Sequence, residues 1–178
     1  MDSSNNNLEV SGAILHGFIH TCASLRIIYN QTVHYGLDDI EVSNWYPLER
    51  LYEVENVIIN SFKNADHVLE KVGREMMYSW YTFGLGREII GTGVDFLYFQ
   101  TGSQGYRSVI RGPEHLLGSF DLQDIDKQKG IALIISTTPF NKSLERGIIL
   151  GGMSAPGDLD YVHVENRENE HYLRIEFH

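Results

Sequence analysis

The sequence predicts an α+β fold, an N-terminal helical half packed on a C-terminal antiparallel sheet. Two observations carry this. Through the first hundred residues apolar side chains recur at spacings of three and four, the period of one helix face. From Leu116 onward the chain breaks into short runs rich in Val, Ile, Tyr and Phe, separated by turn residues, as strands are. With 178 residues, 42% of them hydrophobic and 11% aromatic, the chain is long enough to bury one core without a staple. No internal repeat or long linker divides it. The expected organisation is a disordered tail over residues 1–9 and a single α+β domain over 10–178, helical over 10–100 and mainly stranded over 115–178.

Residues Met1 to Asn7 are polar and Asn-rich, which makes them a tail. From Val10 to Tyr29 the positions Ile14, Phe18, Cys22 and Leu25 fall on one face of a first helix, followed by a turn through His34, Tyr35 and Gly36. Ser43-Asn44-Trp45-Tyr46-Pro47 read as the start of a second helix, with Pro near the first turn and Glu49 just inside. Leu48, Leu51, Tyr52, Val54, Val57, Ile58 and Phe62 form its stripe. A third helix is expected after Asn64, with Ala65, Val68, Leu69, Val72, Met76 and Trp80 inward, ending where Gly84 and Gly86 follow Phe83. Val94 to Gln100 is a further helical or irregular piece. Strands are expected over Leu116–Leu122, Gly130–Ser136, Gly147–Met153, Tyr161–Glu165 and Tyr172–Phe177. In the last, Leu173, Ile175 and Phe177 alternate with Tyr172, Arg174 and Glu176, so one face is buried and the other wet.

Charge removes some classes of function. Against 24 Asp and Glu stand 14 Lys and Arg, a net charge of -10, so the surface field repels polyphosphates and anionic lipid. Nucleic acid and membrane are therefore not expected partners. Cys22 is the one cysteine; it forms no intramolecular disulfide and no Cys-based zinc site, which suits a reducing cytosol. No apolar run approaches the ~20 residues of a membrane span, and the start has no leader pattern. A cytoplasmic location is expected.

No catalytic motif survives inspection. His16 and His20, four apart, point to one side of the first helix, but no Glu completes a His-Glu-x-x-His arrangement, and the pair reads as structural. Cys22 reads as a small buried hydrophobe. The Gly-x-Ser-x-Gly elbow is absent, Gly102-Ser103-Gln104-Gly105 failing its spacing. Gly84-Leu85-Gly86 and Gly91-Thr92-Gly93 lack the glycine or lysine of a phosphate loop, and Asp121, Asp124 and Asp126 lack the Gly and Glu of a calcium loop. The strongest apolar concentration is aromatic: Trp80, Tyr81, Phe83, Phe96, Tyr98 and Phe99, at the junction of helices and strands. Such rings fill a core or line a small-molecule pocket.

Five features recur in order along nearly the whole chain: Gly-x-Ile-x-x-Gly-Phe-Ile from Gly12, Trp45-Tyr46-Pro47, Leu69-Glu70-Lys71-Val72-Gly73-Arg74, Gly147-Ile148-Ile149-Leu150-Gly151-Gly152, and Tyr172-Leu173-Arg174-Ile175-Glu176-Phe177. Their order resembles the superfamily uniting the haem nitric-oxide/oxygen-binding domains, the 4-vinyl-reductase-type ligand-binding domains and the trafficking subunits of the TRAPP complex, and in particular a bacterial branch of that neighbourhood. The resemblance implies a ligand cavity at the helix–sheet junction. In the haem-binding branch a His ligates the iron and a Tyr-x-Ser-x-Arg motif holds the propionates. Here the His position falls near Tyr106, and the motif falls on Ile134-Ile135-Ser136-Thr137-Thr138, where only Ser136 remains. The guanidinium that pairs with a carboxylate is gone. Both losses count against a haem sensor of the usual kind, although Tyr ligates ferric haem elsewhere. No cofactor is named.

The function expected is a non-catalytic small-molecule-binding or sensory module with an apolar pocket between helices and sheet, acting as a homodimer. Its ligand-binding residues would be His16, Trp80, Tyr81, Phe83, Phe96, Tyr98, Phe99, Tyr106, Arg107 and Ser136, with no catalytic or metal-ligating residue. The alternative is a protein-interaction subunit with a packed core and no ligand. An enzyme ranks third.

Overall fold

Ser11 ends one element and starts the next. It closes a three-residue strand, β1 (Glu9–Ser11), and its Oγ accepts the Ile14 amide at 3.4 Å to cap α1 (Gly12–Ser24). The computed structural model describes residues 7–28, 39–167 and 171–178. The expected turn at 34–36 and most of the expected tail lie outside the described residues, and β1 begins at Glu9, inside the segment read as tail.

Trp45–Pro47 form a strand, β2, rather than a helix start, with Val10 opposite Tyr46. The reason is local: Trp and Tyr favour extended backbone, and a residue before proline is pushed out of the helical region. Helix α2 (Glu49–Ser61) follows, then α3 (Ala65–Phe83), capped by Asn64 as its sequence signals. After the short α4 (Gly86–Ile89), a capping box of Thr92 and Asp95 starts α5 (Gly93–Thr101). The turn of α6 (Tyr106–Val109) leads into β3 (Ile110–Arg111), which pairs with β1 to complete a three-stranded antiparallel sheet in the order β2-β1-β3.

The second half holds the four-stranded antiparallel sheet. Leu116 and Leu117 close a helical turn, α7 (Glu114–Leu117), instead of opening a strand. Gly118, at φ +67°, then reverses the chain, and β4 spans Phe120–Asp126. Strands β5 (Ile131–Ser136), β6 (Val162–Asn166) and β7 (Tyr172–Phe177) stand where the alternation places them, in the order β4-β5-β7-β6. Ala132, Ile134, Leu173, Ile175 and Phe177 form the buried face, with Ile134 opposite Leu173 and Ala132 opposite Ile175.

The expected strand over Gly147–Met153 is a helix, α8 (Lys142–Ser154). Asn141 caps it, its Oδ1 accepting the Ser143 and Leu144 amides. Its glycines serve packing rather than a turn. A Cβ on Gly147 would stand 2.0 Å from the Glu70 carbonyl oxygen, one on Gly151 2.4 Å from that of Arg74, and one on Gly73 2.4 Å from that of Leu144. Helices α3 and α8 therefore touch backbone to backbone, and an ion pair from Arg146 to Glu70 spans the crossing. The α+β arrangement is the one the sequence predicts, with this helix added inside the stranded half.

Candidate functional site

The face of α1 opposite its core residues begins the site. Leu15, Phe18, Ile19 and Cys22 turn into the core, so Ile14 departs from the expected stripe and faces a cavity together with His16, Gly17, His20 and Thr21. The cavity measures about 750 Å³. Met76, Met77 and Trp80 of α3 form a second wall, Leu85 just before α4 and Ile89 at its end the rim, and Phe99, Tyr106 and Phe120 a further side. Leu144, Glu145 and Ile148 of α8 close its inner end. The lining is mainly apolar, with Ser79, Gln100, Ser103, Gln104 and Ser108 as neutral polar groups, and no Lys or Arg among the described residues.

The structure brings four of the ten candidate residues to this cavity: His16, Trp80, Phe99 and Tyr106. Phe96 stands one layer behind, fully buried, its ring 6.4 Å from Trp80 and 6.5 Å from Phe99, while those two stack at 5.3 Å. Tyr81, Phe83, Tyr98, Arg107 and Ser136 do not line it. Phe83 is 88% exposed and Tyr98 45%, with Lys127 over the Tyr98 ring. Tyr81 lies under the Arg87 guanidinium. Arg107 points outward to pair with Glu114 at 3.2 Å. In a helix, adjacent aromatics diverge by about 100° per residue, so a run of rings cannot share one pocket.

Two buried polar clusters went unread in the sequence. In the first, Glu145 is buried on the inner wall. Ser136 Oγ lies 3.0 and 2.9 Å from its two carboxylate oxygens, Thr138 Oγ1 donates to Oε1, and Lys142 Nζ lies 2.9 Å from Oε2. Burial pushes the Glu145 carboxyl up from its ordinary range, against the pull of Lys142 and the two hydroxyls. In the second, Glu55 of α2 is buried with Oε1 lacking a partner among the described residues, and burial, helped by the charge of Glu145, pushes it up to about 7. The run Gly147-Ile148-Ile149-Leu150 read as a strand hid Glu145; the N-cap Asn141 and the i, i+4 glycines were the signals of a helix.

The Cys22 thiol is pushed up to about 12, chiefly by burial and further by Glu55, which leaves it inert. The Tyr106 hydroxyl donates to the Leu117 carbonyl, and burial first, then the charge of Glu145, raises it far above its ordinary range. His16 and His20 stack with ring centroids 5.9 Å apart. The arrangement can enclose an apolar body and offer it neutral hydrogen-bonding groups.

The fold is α+β, and the cavity is walled mainly by α1, α3 and α8, with Phe120 of β4 beside them. Among solved structures it is similar to an oxygen-binding H-NOX domain related to soluble guanylate cyclases (TM-score 0.63, 16% identity, 94% of each chain covered). It is also similar to a mutant of the Fe(II) unliganded H-NOX protein from K. algicida (TM-score 0.63, 10% identity, 94% of this chain and 96% of that one). A third such structure, from work on H-NOX activation, gives a TM-score of 0.61 at 17% identity over 94% and 96% of the two chains. The chain thus has an H-NOX-like fold. No family model and no curated protein sequence matches it.

Proposed function

We propose that this chain is a non-catalytic, small-molecule-binding sensory module that holds a largely apolar ligand in the cavity between α1, α3 and α8. The carrying observation is that cavity: about 750 Å³, walled by Met76, Trp80, Phe99 and Phe120, and within the size range of ligand sites. The H-NOX-like fold supports a sensory role, since the similar structures concern oxygen binding and haem redox potential. His16, Trp80, Phe99 and Tyr106 are the contacts we assign. In this reading the module is cytoplasmic and homodimeric; among the described residues no helix is long and apolar enough to cross a membrane.

Haem does not fit the groups present. Its propionates would meet no Lys or Arg on the cavity wall among the described residues, and Glu145, at the inner end, is an acid rather than a base. Tyr106, near which the sequence resemblance puts the iron ligand, has its hydroxyl engaged and held protonated.

A second reading, a protein-interaction subunit, is favoured by the exposed Phe83 and Leu85 at the end of α3 and the start of α4. Thermal-shift screening and native mass spectrometry of protein purified from its own host separate the two. The ligand reading expects a co-purifying molecule or a compound that raises Tm; it falls if neither is found.

A further inference from the structure

Ser136 ends β5, Thr138 lies in the loop after it, and Lys142 opens α8, so two hydroxyls and an ammonium converge from one short segment. Lys142 Nζ lies 2.9 Å from Ser136 Oγ and 3.3 Å from Thr138 Oγ1, which ties the three donors into one cradle. One cation and two hydroxyls are the complement of a single carboxylate. That carboxylate is supplied from within, by Glu145, one helical turn after Lys142.

Glu145 lines the cavity; Ser136, Thr138 and Lys142 lie behind it, off the wall. We infer that Glu145 acts as an anion filter, filling a cradle that would otherwise hold a ligand's carboxylate, so that the cavity selects uncharged molecules with an apolar body and a hydroxyl, carbonyl or amide. This rests on the reading of the cavity as a ligand site.

A ligand whose carboxylate reaches the inner end must either displace Glu145 from three donors or lie against it. Displacement would leave Glu145 buried without its cation, and contact sets two like charges together away from water. The surrounding net charge of -10 acts in the same direction, although salt screens it. A neutral ligand meets no such opposition, and Gln100, Gln104 and Ser108 can satisfy its polar end. A purely structural ion pair would have no reason to discriminate between ligands.

Pyrenebutanol and pyrenebutyrate share a ring system and chain length and differ in a hydroxyl against a carboxylate, so fluorescence titration of the full chain with each isolates the charge. The wild-type protein should bind pyrenebutanol at least about tenfold more tightly, given the cost of juxtaposed like charges. In Glu145→Gln, which releases Lys142, the preference should vanish or reverse. Equal binding of both probes by the wild type, or an unchanged ratio in Glu145→Gln, overturns the filter and leaves the cavity reading standing. Saturation by neither probe overturns both. Should the variant fail to fold, the wild-type ratio decides alone.

Discussion

Lys142 Nζ lies 2.9 Å from Glu145 Oε2, yet the two side chains are unequally placed, 21% exposed against 5%. The lysine can turn its charge to water along its flexible stem; the carboxylate has no such route. Lys142→Met therefore strands a buried charge and should cost about 3 kcal/mol or more. Glu145→Gln keeps an acceptor and a donor among Ser136 and Thr138 and should cost about 1 kcal/mol. Urea unfolding midpoints measure both; equal losses would contradict the asymmetry.

Glu55 makes stability depend on pH. Its folded carboxyl is held at about 7 against an ordinary 4.5, by burial first and then by Glu145, so the folded chain grips the proton more tightly than the unfolded one. Below 4.5 both states are protonated and the effect is absent. As pH rises from 4.5 to 7 the unfolded chain releases the proton while the folded chain keeps it, and stability falls by on the order of 3 kcal/mol before levelling off. Glu145, raised as well, adds a fall of the same sign. Glu55→Gln should remove its share, so unfolding curves across this range should be flatter than wild type; an identical fall would assign the effect elsewhere.

Gly147 sets how closely α3 and α8 approach. A Cβ there would lie 2.0 Å from the Glu70 carbonyl oxygen, and backbone cannot swing aside as a side chain can. Gly147→Ala should cost about 2–3 kcal/mol through separation of the helices, and calorimetry should show a Tm lowered by several degrees.

Gly17 provides the opposite test. A Cβ there would meet only Met76 Cε, at 3.8 Å, and beyond it lies the cavity. Gly17→Leu should leave Tm unchanged or raise it, since a helix interior gains up to about 1 kcal/mol when glycine is replaced. Pyrenebutanol binding should weaken, because the side chain takes up ligand space. A large loss of stability would mean that the space is not there.

Haem titration tests the consequence of a wall that carries no Lys or Arg among the described residues. Added to the wild-type protein, haem should keep the Soret band it shows in buffer, because no guanidinium or ammonium on that wall receives its propionates. A shifted, saturable Soret band would overturn this.

Much of the frame is legible in local chemistry. Asn64 before α3 and the alternation of Tyr172–Phe177 are properties of a few neighbouring residues, and the structure carries both. What went unread depends on partners distant in the chain. Gly147-Ile148-Ile149-Leu150 has the composition of a strand, and the reason for its glycines, a close approach of the α3 backbone at Gly147 and Gly151, appears only once the two helices are packed. Glu145 resembles a solvated helix charge until the connection from β5 into α8 folds Ser136 and Thr138, nine and seven residues earlier in the chain, over it.

By itself, then, the sequence determined the α+β class and the positions of β5 to β7. The tertiary structure alone decided which aromatics meet, turning Trp80 and Phe99 to the cavity and Phe83 and Tyr98 to water, and it alone set Glu145 on the inner wall. The physical reason is range: helix and strand periods act over a few residues, whereas a cavity is the space that elements far apart in the chain fail to fill.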